Sequence, residues 1–440
     1  MCVSRGFSNF VATKGQFPMK RVAFHTLGCK VNFAESSTLA RQFEAGGYKR
    51  VAPSADADIH IINSCSVTEH ADKKCRNIVR RLHQRNPDAI IAVTGCYAQL
   101  SPQKVAEIEG VDLVLSNRSK ADTYAEVVAL AASSSPRILS CETAELTNFF
   151  AAFSQGDRTR SFLKVQDGCD YKCAYCTIHY ARGSSRNAPI SQLVAQAEEI
   201  ASSGVREIVL TGINVGDFGH STGESFAELI RALDAVEGVE RYRISSIEPN
   251  LLTDEVIEFC AASSKFQPHF HIPIQSGCNS VLERMGRRYT AERFADRIRT
   301  VRRYMPDTFF GIDVIVGFPG ESDAEFEQTY SLLEELHPAY LHIFPFSPRP
   351  GTPAYSMKGQ VQASIKTERA ARLDALCRRL HSEFCTSQIG RTLPVLFENT
   401  QKNGLMTGFT GNYVKVSAPY DKSLAGKIID VTLTADNIVL

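Results

Sequence analysis

Three cysteines stand at 169, 173 and 176 in the run GCDYKCAYC. Thiolates are soft ligands, and three of them at C-x-x-x-C-x-x-C spacing on one short loop can hold three corners of a cubane iron–sulfur cluster. The fourth iron is then left without a protein ligand and can bind and activate a small molecule. A site closed by four cysteines would mainly store electrons or staple a fold. The plainer alternative is structural zinc, for which His179 is the nearest candidate fourth ligand.

Three further cysteines share a position along the chain. From Lys20 onward strand-like runs alternate with helical ones. KRVAFHTLG, DIHIINS, DAIIAVTG and VDLVLS read as strands, with helices over 32–45, over 73–85 and ending near 132. Nearly continuous apolar strands alternating with helices imply a parallel sheet of flavodoxin-like type, covered on both faces. Cys29, Cys65 and Cys96 each end one of the first three strands, in LGCKVN, NSCSVT and TGCYAQ. All three therefore fall at the carboxyl edge of the sheet, where such folds bind ligands. Gly28 and Gly95 precede two of them and let the backbone approach a bulky group. Converging thiolates could hold a second cluster; three separately buried cysteines are the alternative. Cys75 falls mid-helix and is not counted as a ligand.

Residues 133–160 carry little periodicity and read as a linker with room for one short hairpin. A second α/β run occupies 161–386. SFLKVQD leads into the cysteine loop, and REIVLTG, YRISSIE, HFHIPIQ, FGIDVIVGF and YLHIFPF follow. Six strands with helical crossovers suggest a partial (β/α)6 barrel, whose catalytic groups would sit at the carboxyl ends of the strands. Gly212 with Asn214, Glu248, Gln275 with Ser276 and Gly277, and Asp313 with Gly317 stand there; each alone reads equally as a turn residue. After a helix over 366–386, the stretch 387–440 holds RTLPVLFE, GLMTGFT, NYVKVSA and GKIIDVTL. These short alternating strands suggest a small antiparallel β-barrel of oligonucleotide-binding size.

A chain of 440 residues, 43% apolar and 22% charged, is an ordinary globular protein of two to three domains. No run is long and apolar enough to span a membrane, so no membrane partner is expected. Thirteen unevenly spread cysteines do not read as a disulfide framework. They read as reduced thiols of a cytoplasmic protein, several bound to metal. A net charge of +1 gives no global affinity for nucleic acid. Two basic stretches, 73–85 and 284–303, read either as solvated helix faces or as RNA contacts. Residues 1–19 form an extension without acids, faintly like a transit peptide or else lying upstream of a start at Met19.

These motifs resemble those of a known family. GCDYKCAYC, with aromatic Tyr175 before its last cysteine, is similar to the signature of radical S-adenosylmethionine enzymes. TLGCKVNFAES, NSCSVTEHADKKCR and TGCYAQ resemble the amino-terminal domain of the methylthiotransferases within that superfamily. ARGSSRN, LTGINVGDFG, SSIEP, HIPIQSGCNSVLERMGRRYT and DVIVGFPGE resemble their central domain. LFENT, GFTGNYVKV and LAGKIIDVTL are similar to their carboxyl-terminal TRAM domain. The likeness runs over about residues 20–440. LGCKVN matches the branch that modifies threonylcarbamoyladenosine in tRNA, whereas the isopentenyladenosine branch more usually reads GCQMN and the ribosomal-protein branch GCPKN. Ser64 and His179 depart from the branch pattern, where Thr and Pro are usual.

The resemblance implies two [4Fe–4S] clusters and S-adenosyl-L-methionine as cofactors. Cys169, Cys173 and Cys176 would hold the cluster whose open iron chelates S-adenosylmethionine and splits its sulfonium to a deoxyadenosyl radical. Cys29, Cys65 and Cys96 would hold the auxiliary cluster that supplies sulfur. Tyr175, Gly212, Glu248, Gln275 and Asp313 are the candidates for lining the cofactor site. The target would be carbon 2 of the modified adenosine just 3′ of the anticodon, so the tRNA anticodon stem-loop is the implied partner. A reduced flavodoxin- or ferredoxin-like protein is the expected electron donor, and a monomer is expected. A non-catalytic iron–sulfur RNA-binding redox sensor is the alternative from another class.

Overall fold

The computed structural model describes residues 20–130 and 136–440; the extension over 1–19 and the helix end expected near 132 lie outside the described residues. The first unit is a six-stranded parallel sheet. Its spatial order is Lys49–Val51, Arg21–Thr26, Ile59–Ser64, Ile90–Gly95, Leu113–Leu115 and Arg137–Leu139. The central strand, IHIINS, is buried at every position, as a parallel strand covered on both faces should be. Register places Thr26 beside Asn63 and Ser64 beside Gly95. The chain therefore leaves three neighbouring strands at one edge, and Cys29, Cys65 and Cys96 follow directly.

Two strands carry no signal in the sequence. Lys49–Val51 and Arg137–Leu139 are three residues each, too short to show a period of two. The second corrects the linker expected over 133–160, because it is the sixth strand of the first sheet. The end of the same stretch folds back, and Phe153 pairs antiparallel with Leu163. This covers the outer edge of the first barrel strand.

The central unit has six parallel strands in sequence order: Ser161–Lys164, Glu207–Thr211, Arg241–Ile244, His269–His271, Phe309–Val316 and Tyr340–Pro345. Single bridges from Tyr242 to Phe266 and from Ser246 to His271 join its two halves into one curved wall. It is the partial barrel the strand count implies, with crossover helices packed outside. The carboxyl-terminal unit is a four-stranded antiparallel sheet curled into a half-barrel. It docks on the barrel through three arginines. Arg241 donates to the Phe409 and Pro394 carbonyls at 3.1 and 2.6 Å. Arg243 donates to Gly411 and Thr410 at 2.6 and 2.8 Å, and Arg160 pairs with Glu398 at 2.7 Å.

The first unit is locked to the barrel by a buried charge network. Glu35, on helix Lys30–Ala45, is held by Lys120 at 2.6 Å, Lys164 at 2.8 Å and Arg182 at 3.0 Å. Arg182 and Lys164 also reach Asp167, at 2.8 and 2.7 Å, and Arg186 joins at 3.2 Å. Arg182 further donates to the Asn32 side chain at 2.5 Å. Burial works to raise the Glu35 pKa, but Arg182, Lys120 and Lys164 outweigh it and hold the carboxyl well below its usual range.

Removing one charge from such a set leaves the others buried and uncompensated. Glu35→Gln is expected to cost about 3–5 kcal/mol in urea unfolding of the cluster-loaded protein. The folded pKa of Glu35 lies below its unfolded value of about 4.3, so its contribution is full above that pH and is lost on acidification. A variant as stable as the parent would show that the network does not hold the units together.

Candidate active site

The loop from Gly168 to Arg182 presents the first cysteine set. It is pinned at its base, where the Cys169 N–H donates to the Gly183 carbonyl at 3.0 Å. Each sulfur accepts one hydrogen bond. The Tyr171 N–H reaches Cys169 Sγ and the Ile178 N–H reaches Cys176 Sγ, both at 3.4 Å. Arg287 Nη1 reaches Cys173 Sγ at 3.1 Å. Such donors to sulfur orient cluster ligands and tune their potential. Burial pushes Cys169 and Cys176 up to about 12, and neighbouring thiols add to the shift. Three such thiols cannot all ionise side by side without a positive centre among them, which bound iron supplies.

The spacing separates iron from zinc. Tetrahedral zinc with bonds near 2.3 Å to sulfur brings its ligand atoms to roughly 4 Å of one another. Among the described residues only two triplets of potential ligand atoms lie within 4.8 Å of each other: His271–Asp313–His342 and Asp170–Asp217–His220. Neither contains a cysteine. His179 instead lies against Tyr180, with ring centroids 3.8 Å apart and the planes tilted by 45°. Neither set of three thiols is drawn together closely enough to ligate a single zinc ion.

The second set converges at the sheet edge. Gly28, at φ +92°, lies so close to Cys65 that a Cβ there would stand 2.8 Å from its Sγ. Gly95, at φ +96°, has no room for a side chain against the Ser64 carbonyl. Burial raises Cys65 to about 12, with Cys96 and then Cys29 adding to it. Burial also raises Cys96, while Arg182 and Lys120 oppose that shift. Those two cations belong to the Glu35 network, which places four cations against two carboxylates beneath this cysteine set. A buried positive surplus fits a ligand set of three thiolates. Helix Lys30–Ala45 begins directly after Cys29 with no side-chain cap, adding the positive end of its dipole. Cys75 is buried on helix Glu69–Arg85 beside Asp72 and Arg76, apart from this group.

The two sets face each other across the interface. Cys176 and Cys96 are close enough to raise the Cys176 pKa. Thr177 donates to the Ser66 carbonyl at 3.3 Å, and Arg349 holds Ser66 and Asp72 at 2.9 and 2.6 Å. The loops after Cys65 and Cys176 are thus tied together.

Among the candidates for the cofactor site, Tyr175 and Glu248 are joined by Arg287. This residue donates to the Tyr175 hydroxyl at 3.3 Å and forms an ion pair with Glu248. Burial raises the Glu248 pKa against the pull of Arg287. Arg287 lies in GRRYT and was not singled out by sequence reasoning, since its neighbours in that run look like ordinary surface arginines. Gly212 makes room for Gln166, whose Oε1 would be 2.9 Å from a Cβ and accepts the Ile213 and Asn214 N–H groups. Gln275 sits at φ +64°, unusual for a side chain of its size, and its N–H donates to the Asp313 carbonyl at 2.9 Å. The Asp313 carboxylate turns the other way, to His271 at 2.6 Å.

His271, the partner of Asp313, borders a cavity of about 680 Å³ inside the barrel wall. It extends from Cys29 and Lys30 past Phe33 and Phe162 to Tyr413 and Phe409 of the half-barrel. Its volume suits a nucleotide-sized ligand. Lys30 lines this chamber, and desolvation there lowers the ammonium pKa.

The basic patches differ in kind. In 284–303, Arg284, Arg297 and Arg299 pair with Glu325, Asp296 and Glu335, and Arg287 is buried. On helix Glu69–Arg85, Lys73, Lys74, Arg80 and Arg81 form no ion pair among the described residues. His70, Lys73, Lys74, Asn77 and Arg81 line a shallow depression there.

Family models match twice: "Uncharacterized protein family UPF0004" over residues 21–116 and the "Radical SAM superfamily" over residues 163–333. The chain is 41% identical over 426 residues to the threonylcarbamoyladenosine tRNA methylthiotransferase MtaB of Bacillus subtilis, covering 94% of each chain. It is 38% identical to MtaB of Thermotoga maritima, over 90% of this chain and 91% of that one. The chain belongs to the radical S-adenosylmethionine methylthiotransferases, in the MtaB branch. A tRNA-2-methylthio-N(6)-dimethylallyladenosine synthase of Wolbachia is also similar, at 32% identity over 92% of this chain and 93% of its own. In fold, the methylthiotransferase resembles the radical S-adenosylmethionine methyltransferase TsrM of Kitasatospora setae (TM-score 0.57, 13% identity, 76% of this chain and 75% of that one).

Two cubanes per chain amount to about eight iron and eight sulfide in the reconstituted methylthiotransferase. Replacing Cys169, Cys173 and Cys176 together by Ala should leave about half. Gly28→Ala should also lose about half, because its Cβ occupies the space beside Cys65 Sγ. Iron and sulfide analysis reads both; full iron in the triple variant would reject that loop as a cluster site.

Proposed function

We propose that this chain transfers a methylthio group to carbon 2 of the threonylcarbamoyladenosine 3′ of the anticodon in tRNA. The observation that carries the reading is the convergence of two cysteine triads on one interface, in a chain similar to MtaB along nearly all its length. When bound, the clusters and S-adenosylmethionine supply the one-electron cleavage of the sulfonium and the sulfur that is methylated and transferred.

The protein's own residues hold and position these groups. Cys169, Cys173 and Cys176 would ligate one cluster, and Cys29, Cys65 and Cys96 the other. Arg287 orders the first site by joining Cys173, Tyr175 and Glu248. The Glu35 network fixes the spacing between the sites and keeps bulk water from the interface. The cavity admits an adenine turned out of its loop, with Phe33, Phe162 and Tyr413 offering aromatic faces for it. Lys73, Lys74 and Arg81 are suited to RNA phosphates. Among the described residues no helix is long and apolar enough to cross a membrane. A monomer in the cytoplasm, reduced by a flavodoxin- or ferredoxin-like protein, completes the reading.

Two assays test it. Replacing Cys29, Cys65 and Cys96 by Ala should abolish methylthiolation while reductive cleavage of S-adenosylmethionine to 5′-deoxyadenosine survives; a variant that still methylthiolated RNA would remove the second triad from the reaction. With threonylcarbamoyl- and isopentenyl-modified tRNA in competition, the parent enzyme should choose the first. A choice of the isopentenyl form would overturn the substrate and leave the reaction type standing.

A further inference from the structure

The cavity lined by Cys29 has an uneven charge. Two of its arginines are fully engaged. Arg243 binds Glu207 at 2.7 Å and two half-barrel carbonyls, and Arg160 binds Glu398 and, at 3.2 Å, the Tyr413 hydroxyl. The acid of the lining, Glu398, is engaged too, with Arg160. Lys30 and Arg158 are different. Both line the cavity, and neither has an acidic partner among the described residues. The Arg158 guanidinium lies over Phe33, 4.7 Å from its ring centroid. Phe33 stands one turn after Lys30 on the same helix, and all three side chains line the chamber. Lys415 is a third cation of the lining, on the half-barrel, and its backbone carbonyl accepts the Val439 N–H.

A cation that lines such a chamber without an acidic partner is a ready site for an anion. On the reading that threonylcarbamoyladenosine is the substrate, that anion is at hand. Its side group ends in a carboxylate carried on N6, several bonds from carbon 2. A partner for it must line the same chamber as the sulfur site without occupying it. Lys30 follows Cys29 directly and extends four methylenes away from it. We propose that Lys30, with Arg158, binds the carboxylate of the threonylcarbamoyl group and so selects this nucleoside over adenosines with an uncharged N6 group. Phe33 and Phe162, edge to face at 5.5 Å, form the apolar wall against which the base and its side group lie.

The test uses the cluster-loaded protein and an anticodon stem-loop RNA in two forms, one carrying threonylcarbamoyladenosine and the other its carboxamide analogue. Hydrogen bonds to charged groups are worth enough for the parent to bind the carboxylate form about ten-fold or more tighter. Lys30→Met should bring the two affinities to within about two-fold of each other, and Lys30→Arg should restore much of the preference. Iron analysis of each variant checks the neighbouring cysteine site. If Lys30→Met fails to hold iron, Arg158→Met, far from any cysteine in sequence, decides by the same ratio. A Lys30→Met protein with full iron and an unreduced preference would overturn the proposal. So would a parent that methylthiolates the threonylcarbamoyl form yet binds both RNAs alike. A parent that methylthiolates neither natural modified tRNA would instead overturn the substrate reading on which the proposal rests.

Discussion

Everything about the site depends on a carboxylate that no solvent reaches. Glu35 sits where three pieces of chain meet: the helix after Cys29, the first barrel strand and the helix after Cys176. Its two oxygens are shared among Lys120, Lys164 and Arg182, and Asp167 takes up part of the remaining charge. Burying four cations beside two carboxylates is an expensive way to join domains, and apolar packing would do it at lower cost. The arrangement makes sense if the missing negative charge arrives with the thiolates of Cys29, Cys65 and Cys96. The interface and the cluster site are then one electrostatic unit, each incomplete without the other.

This unit explains the order of the surrounding parts. A radical reaction that needs sulfur from one cluster and activation at another requires a fixed and dry gap between them. Thr177 and Arg349 tie the loops across that gap at Ser66, and Arg287 fixes the side of the barrel triad away from it. The cavity running from Tyr413 to Cys29 gives the substrate a route that ends at one cysteine of the first unit's triad. Its floor belongs to the half-barrel, which Arg241 and Arg243 hold in place through backbone carbonyls.

Much of this was legible in the sequence, for definite reasons. Long apolar strands announce themselves, so the two parallel units and the six cysteines at strand ends could be read directly. IHIINS ending at Cys65 is the clearest case. Arg137–Leu139, three residues set after a run of Ser and Pro with no longer apolar stretch around it, reads as linker. Charge is harder still. Arg182, Lys120 and Arg287 look in the sequence like any solvated cation, yet they are among the most buried side chains of the site. The stretch 284–303 looks like an RNA-binding face and is mostly paired or inward, while in 73–85, which looks alike, Lys73, Lys74, Arg80 and Arg81 have no ion pair among the described residues. Only the tertiary partners separate the two.

The most direct measurement of the central claim is made on cells. Nucleosides from the tRNA of a strain lacking this gene would be analysed by mass spectrometry, with and without a plasmid copy. Loss of the 2-methylthio form, accumulation of threonylcarbamoyladenosine and restoration by the plasmid are the expected result. An unchanged nucleoside profile, or loss of a methylthio group from isopentenyladenosine alone, would contradict the account.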